Sequence, residues 1–462
     1  MNTHHVEKFG YKQELKRSLG LWQLTAFGLN YMIPLSPAII FGFVLALSDG
    51  TVALPFLIAG VAIFLTAMSY AVMVRHFPLS GSLYHFIARA WHPKMGFIGG
   101  WILLLDYLLI TTVTSMSASV YIHQLLPSFS YPLILFIFIF ATGTINLLGI
   151  KIIASLGLMI LAIAEVVVVA SFIVWAHAIH SLPIGTGALF SIKPFHFLNI
   201  SSLINATSLA VASYLGFDAI TTLAEEAKNP IKDIPMAITL SIIIGGITMV
   251  LTGYLGVLAI PNWHQLINSS TFQETALFYV SNITGGHAFA LFYSLGFILS
   301  MMIFNMVATA ATARLLFGMG RDGVLNKKLF GSINQKYKTP HWNIILIMAI
   351  SFIVGSFSSI DQIANLVNYG ALLGFALLNL SVVWFYFSNK NILFVNKNYF
   401  RYVIAPLFGF VIVMWVFYGL NEDTHILGTI WLFIGIFYLI IQSRKLSMLS
   451  VFLQVFFIFK SM

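Results

Sequence analysis

The sequence predicts an all-α, polytopic membrane protein with about twelve membrane-spanning helices. Hydrophobic residues fill 59% of the 462 positions and charged residues only 8%, too few charges to cover a soluble globule of this size. Apolar runs recur along the chain, each near the roughly 20 residues a helix needs to cross hydrocarbon. The basic residues also sort by side. With the N-terminus inside and the loops assigned alternately, only Lys193 of the 23 Lys and Arg residues falls outside, in keeping with the positive-inside rule.

The first set of five spans lies within residues 20–178, at 20–47, 53–74, 93–124, 131–149 and 152–176. The second set lies within residues 199–387, at 199–225, 234–260, 286–313, 342–357 and 362–387. Two further spans, 402–419 and 425–442, fill residues 402–442, and polar or short tails occupy residues 1–19 and 443–462. The linkers 75–92 and 261–285 contain helical stretches expected to lie along the membrane surface. The apolar stretch 446–459 is 14 residues long, too short to span easily, and reads as an interfacial segment. The first 18 residues are polar and basic without a short apolar core, so no signal peptide is expected.

Two spans are interrupted. The first contains NYMIPLSP at 30–37, where Pro34 and Pro37 remove two backbone donors and clash with the preceding turn. The sixth contains Ser213, Tyr214, Leu215, Gly216, Phe217 and Asp218, a glycine-centred polar step in an apolar run. Each interrupted helix opens a set of five, and each set has one long linker between its second and third members. Five is odd, so the second set enters from the opposite face. This is the pattern of an inverted-topology repeat, with a ligand held at the midplane between two discontinuous helices. Irregular backbone survives at membrane depth only if protein buries it or it lines an aqueous cavity. There, half-helix N-termini favour anions and free carbonyls favour cations.

Three carboxylates lie within spans: Asp106, Glu165 and Asp218. Insertion of such a group costs ~2.5–3.5 kcal/mol, so it usually faces a cavity, pairs, or takes a proton. Glu165 has no basic residue within a helical turn and is the candidate proton-coupling group; a protonated glutamate bonded to a neighbouring helix is the bland alternative. Asp218 reads as an N-cap for the second half of helix 6 or as counter-ion to a substrate amine. Asp106 is expected to be structural, and the adjacent Tyr107 to face the cavity with a phenol that is both π surface and donor. Tyr31, Tyr214 and Phe217 flank the breaks, where rings can gate a cavity or stack on an ammonium group. With aromatics at 15% of the chain, packing is the commoner role for any one of them. Ser36 and Ser213 offer hydroxyls where backbone donors are missing. Glu225 and Glu226 are placed to form salt bridges with Lys228 and Lys232.

Several function classes are excluded. The net charge of +9 is a topology signal and not a nucleic-acid surface or ligand site. The absence of cysteine removes disulfides, thiolate metal sites and cysteine nucleophiles. Gly318, Gly320 and Gly323 match G-x-G-x-x-G, but they follow a long membrane helix with no βαβ unit. His177 and His180 have no acidic partner, so no metal site is expected. No phosphate-binding loop supports ATP-driven pumping, and the chain reads as a non-enzyme.

The stretch SYLGFDAITTLAEEAKNPIKDIP at 213–235 resembles the signature of the amino acid–polyamine–organocation transporter family. ARLLFGMGRDGVLNKKLFGSINQKYKTP at 313–340 is similar to that family's helix 8 and following loop. RHFPLSGSLYHFIARAWHPKMGFIGGWILLLDYLL at 75–109 is similar to its linker between helices 2 and 3. Within the family the nearest pattern is that of bacterial putrescine importers, and the likeness covers nearly the whole chain. The resemblance implies a five-plus-five, leucine-transporter-like fold with two extra C-terminal helices and a substrate between the broken segments. In amino acid members, amides of the helix 1 break hold the substrate carboxylate and helix 6 carbonyls hold its ammonium. Carried over, the first role falls on Ile33, Pro34, Leu35 and Ser36, the second on Ala212, Ser213, Tyr214, Leu215 and Gly216.

Three departures matter. Pro34 and Pro37 replace the usual glycine-rich break, the helix 5 lysine of some proton-coupled members is absent, and Ile39 stands where the putrescine pattern has an acidic residue. The resulting expectation is a secondary active transporter, or permease, working by alternating access as symporter or antiporter. The proton gradient is the expected driving force, sodium the less favoured ion, and no cofactor is implied. An amino acid is the leading substrate class because the helix 1 break has no carboxylate, with a putrescine or polyamine importer or an amine exchanger as alternatives. A non-transporting sensor or a channel on the same fold is the reading from another class. The expected partners are a small-molecule amine and membrane lipid, without nucleic acid. The expected location is the cell membrane, of the bacterial inner-membrane kind, with both termini cytoplasmic.

Overall fold

The computed structural model describes residues 17, 19–78, 82–148, 150–181, 187–197, 199–224, 226–260, 262–321, 323–334, 336–337, 339–389 and 398–458, without the side chains of 82, 150–156, 158 and 442–458. Most of the N-terminal tail and Glu225 lie outside the described residues.

The first half comprises α1 (Leu21–Met32), α2 (Pro37–Leu47), α3 (Ala53–His76), α4 (Ser82–Ala90), α5 (Pro93–Leu125), α6 (Tyr131–Leu148) and α7 (Ile150–Ser181). The second comprises α8 (Ile200–Ala210) with the tight 3₁₀ turns Val211–Tyr214 and Phe217–Leu223, α9 (Pro230–Leu258), α10 (Ser270–Arg321), α11 (Lys327–Phe330), α12 (His341–Phe357) and α13 (Ile360–Ser388). A π turn, Phe400–Ile404, leads into α14 (Ala405–Tyr418), and α15 (Glu422–Ile458) closes the chain. Ten described helical segments are long and apolar enough to cross a membrane, and the bent pair α1–α2 makes an eleventh. The shorter apolar helix α12, with 17 residues, completes the twelve expected spans.

Both linkers between second and third members carry helix: α4 in the first set, and in the second the part of α10 before Gly286, where φ of +77° bends the chain. Members related by the repeat meet across the centre, α3 against α9 and α5 against α10. The apolar tail, expected to be interfacial, is helical and continuous with α15 to Ile458. No Gly or Pro interrupts residues 436–458, so nothing ends the helix where the span does.

The two interrupted spans position everything else. α1 and α2 meet at 52°, because Pro34 and Pro37 cannot donate to a continuing ladder. Pro37 instead takes the first position of α2, where a missing N–H costs nothing. Ile33 turns the corner at φ +49°, a region that β-branched residues rarely adopt and that stores about 1–3 kcal/mol of strain. In the sixth span the chain leaves the helix at Leu215 and passes through Gly216 at φ +106°. A methyl group at Gly216 would fall within the Tyr31 ring, so this glycine is needed both for its backbone and as the seat of an aromatic from the other break. The Ser36 hydroxyl donates to the Ser213 carbonyl at 3.0 Å and joins the two corners. At the end of the spans nearest the N-terminus they are joined again. The Leu19 amide donates to the Glu226 carbonyl at 3.0 Å, and the Lys228 amide to the Leu19 carbonyl at 2.8 Å.

Gly216→Ala therefore adds both backbone strain and a ring collision. It is expected to lower the thermal midpoint in detergent by an amount equivalent to about 2–4 kcal/mol. Tyr31→Ala in the same chain should recover the collision component but not the strain.

Candidate functional site

The backbone donors of the helix 1 corner are almost all in use. Ile33 N–H donates to the Leu29 carbonyl at 2.9 Å and Ser36 N–H to the Ile33 carbonyl at 2.9 Å. Ala38 N–H and Ile39 N–H, at the start of α2, donate to the Leu35 and Ser36 carbonyls at 3.0 Å each. Pro34 has no N–H, and among the described residues only Leu35 N–H in this corner lacks a backbone acceptor. A carboxylate cradle needs two or three convergent amides. This corner supplies one.

The helix 6 side is richer in acceptors. Of the expected carbonyls, Ser213 is used by the Ser36 hydroxyl and Gly216 accepts from the Ala219 amide at 3.1 Å. Ala212 is half-buried beside them. The Ser213 hydroxyl is buried with no hydrogen-bond partner among the described residues. Tyr214 turns away from the break: its hydroxyl donates to the Phe56 carbonyl at 2.7 Å on α3, and its ring packs at Gly60 and Gly246. Phe217 lies with Tyr70 and Phe375, at centroid distances of 5.4 Å to each. Of the three flanking aromatics, Tyr31 is the one placed over the break. It makes an edge contact with Phe304 at 5.1 Å, and its buried hydroxyl has no partner among the described residues.

The carboxylates fall differently from the expected arrangement. Gly216 occupies the N-cap position of the Phe217–Leu223 turn and Asp218 lies one residue inside it, which corrects the N-cap reading. Asp218 instead accepts a hydrogen bond from the Tyr107 hydroxyl at 3.0 Å, with both residues buried. Asp106, expected to be structural, is 4% exposed, and no described residue hydrogen-bonds to its carboxylate. Its backbone packs against Gly370 of α13, and its charge and that of Asp218 act on each other and on Tyr31. No Lys or Arg occurs in α1, α2, α8, α13 or the turns around Gly216, and α5 has only Lys94 at its far end. The elements around the breaks thus bring together two buried carboxylates and no cation. An amphipathic pattern could not have singled out Asp106, because α5 is buried on nearly all sides and offers no polar face against which to notice it.

Two small cavities flank the corner. One is bounded by Pro34, Leu35, Trp175, Thr252 and Tyr293, the other by Asn30, Ile33, Pro34, Ala164 and Ser300. Each has a free volume of about 10 Å³, room for roughly one water. A solute of several heavy atoms fits only if the corners part. Glu165 is half-buried on α7, between Ala164 and Val168, which line these two cavities, and no described residue hydrogen-bonds to it. Trp175 and Tyr293 carried no sequence signal beyond their aromaticity, yet the buried Trp175 N–H also lacks an acceptor among the described residues.

Known proteins resemble this chain along nearly their whole length. The low-affinity putrescine importer PlaP of Escherichia coli (strain K12) is 32% identical, over 96% of this chain and 97% of the importer. The branched-chain amino acid permease BcaP of Bacillus subtilis (strain 168) is 27% identical, over 95% of this chain and 96% of its own. The methylthioribose transporter of the same organism is also 27% identical, over 95% and 96%. The amino acid permease family matches residues 19–459. With two interrupted spans, helical linkers after the second member of each set and this match across almost the entire chain, the protein belongs to the amino acid permease family.

Proposed function

We propose that the chain is a secondary active transporter for a small organic amine, with a diamine of the putrescine type favoured over an amino acid. The observation that carries this preference is the balance of charge and donors at the breaks. Two buried carboxylates, Asp106 and Asp218, suit two ammonium groups, whereas a single free amide at Leu35 is a poor match for a carboxylate. The aromatic walls from Tyr31, Tyr107 and Phe217 suit the same ligand, since rings attract ammonium groups and cover methylenes. The likeness to a putrescine importer supports the reading, and the likeness to a branched-chain amino acid permease keeps the amino acid reading second. The likeness to a methylthioribose transporter is a reason to argue cargo from side chains at the site and not from fold.

Transport follows from two corners that part toward one side at a time around a fixed midplane site. We assign the coupling proton to Glu165, which is half-buried without a described partner beside the helix 1 corner. The lysine and arginine distribution supports cytoplasmic termini. A resident cofactor plays no part in this scheme.

Uptake in proteoliposomes, competed by diamines and by amino acids at two pH values, tests the assignment. Diamines are expected to compete and amino acids to fail; the reverse order would restore the amino acid reading. Unsaturable conductance would instead indicate a channel, and binding without flux a sensor. Asp106→Asn and Asp218→Asn should each weaken diamine binding by at least about thirtyfold, equivalent to ~2–5 kcal/mol for a buried ammonium–carboxylate pair. Glu165→Gln should bind the diamine normally but accumulate it without dependence on the pH gradient. If its pH dependence is unchanged, the proton travels elsewhere.

A further inference from the structure

We propose that the ends of α3 and α14 nearest the chain termini form a binding site for the phosphate of an anionic membrane lipid. The centre of the site is a hydrogen bond between His76 Nε2 and the Tyr402 hydroxyl at 3.0 Å. It ties the last residue of α3 to the π turn that begins the α14 span. The residues beside these two partners are Arg75 and Arg401, which brings two guanidinium groups to one place, and their like charges act on one another. No described residue forms an ion pair with either arginine. Two like charges left together without a carboxylate are a cost unless an anion joins them.

Position bears on this too. Arg75 is in the last turn of its helix, where the negative dipole end holds a cation in place. Arg401 is in the first turn of the following span, where the helix end is itself positive and favours an anion. The neighbouring side chains are those of a membrane interface. Tyr399 is 53% exposed, Phe400 59% and Trp384 49%, and aromatic side chains of this kind gather at the level of lipid headgroups. Basic pockets between helix ends at that level bind anionic headgroups, and the apolar faces beside this one offer acyl chains a surface. A free phosphate ion satisfies the guanidinium groups but not the aromatic rim, so the lipid is the occupant proposed.

Native mass spectrometry of the full chain, released from nanodiscs of phosphatidylcholine with one tenth phosphatidylglycerol, tests the site. Wild type should retain phosphatidylglycerol well above its share of the bilayer. Arg75→Gln with Arg401→Gln should reduce that retention roughly thirtyfold, since each basic side chain at an anionic surface contributes about a factor of five. Lys327→Gln with Lys328→Gln, basic residues of the same face on α11 but outside this cluster, should leave it unchanged. Equal retention in the Arg75/Arg401 and Lys327/Lys328 variants would overturn the site. Displacement of the lipid by millimolar inorganic phosphate would overturn the lipid assignment. If the double arginine variant fails to fold, Tyr399→Ala and Trp384→Ala keep the charges and remove the rim. They should lower phosphatidylglycerol retention while leaving inorganic phosphate without effect, and unchanged retention would again reject the proposal.

Discussion

Backbone that leaves a helix inside hydrocarbon must be satisfied by protein, and here each broken span is sealed by the other. The Ser36 hydroxyl caps the Ser213 carbonyl. Tyr31 fills the space that Gly216 leaves by having no side chain. The strained turn at Ile33 is held between a hydrogen bond into α1 and another from Ser36. Neither corner could be repaired by its own helix, because proline removes the donors on one side and a left-handed glycine diverts the chain on the other. Each is stable only while its counterpart is in place. A joint that two halves share in this way can open only by moving both, which is what couples a midplane site to the two faces of a membrane.

In the function proposed above, the same joint selects cargo. A corner made of two prolines consumes or deletes the amides that would hold a carboxylate, while the buried surroundings keep Asp106 and Asp218 facing a low-dielectric interior. A buried carboxylate is costly unless donors or a cation compensate it; Asp218 has the Tyr107 hydroxyl, and in the proposed function a ligand ammonium group adds to that compensation. The relatives carry names for putrescine, for branched-chain amino acids and for methylthioribose, at 32%, 27% and 27% identity.

The spans, their number and the two breaks were legible in the sequence because hydrocarbon imposes length and prolines and glycines punctuate it. The pairing of Tyr107 with Asp218 was only half legible: both residues stood out, but their contact joins positions 111 residues apart, and no local pattern encodes it. Tyr214 looked like a gate from its place beside the break, yet a 3₁₀ turn rotates it onto the Phe56 carbonyl. Asp106 stood out as a carboxylate within a span, but because nearly every face of α5 is buried no pattern showed which way it faces. Hydropathy marks where lipid ends, while a helix ends only where a breaker or cap ends it, so α15 continues past its apolar span.

The most direct measurement is an experimental density map of the protein in lipid with a bound diamine. The account predicts non-helical backbone at residues 33–36 and at Leu215 and Gly216, with one ligand nitrogen about 2.7–3.0 Å from a carboxylate oxygen of Asp218 and the other directed at Asp106. Helices running continuously through either position, or a diamine lodged away from both carboxylates, would contradict it.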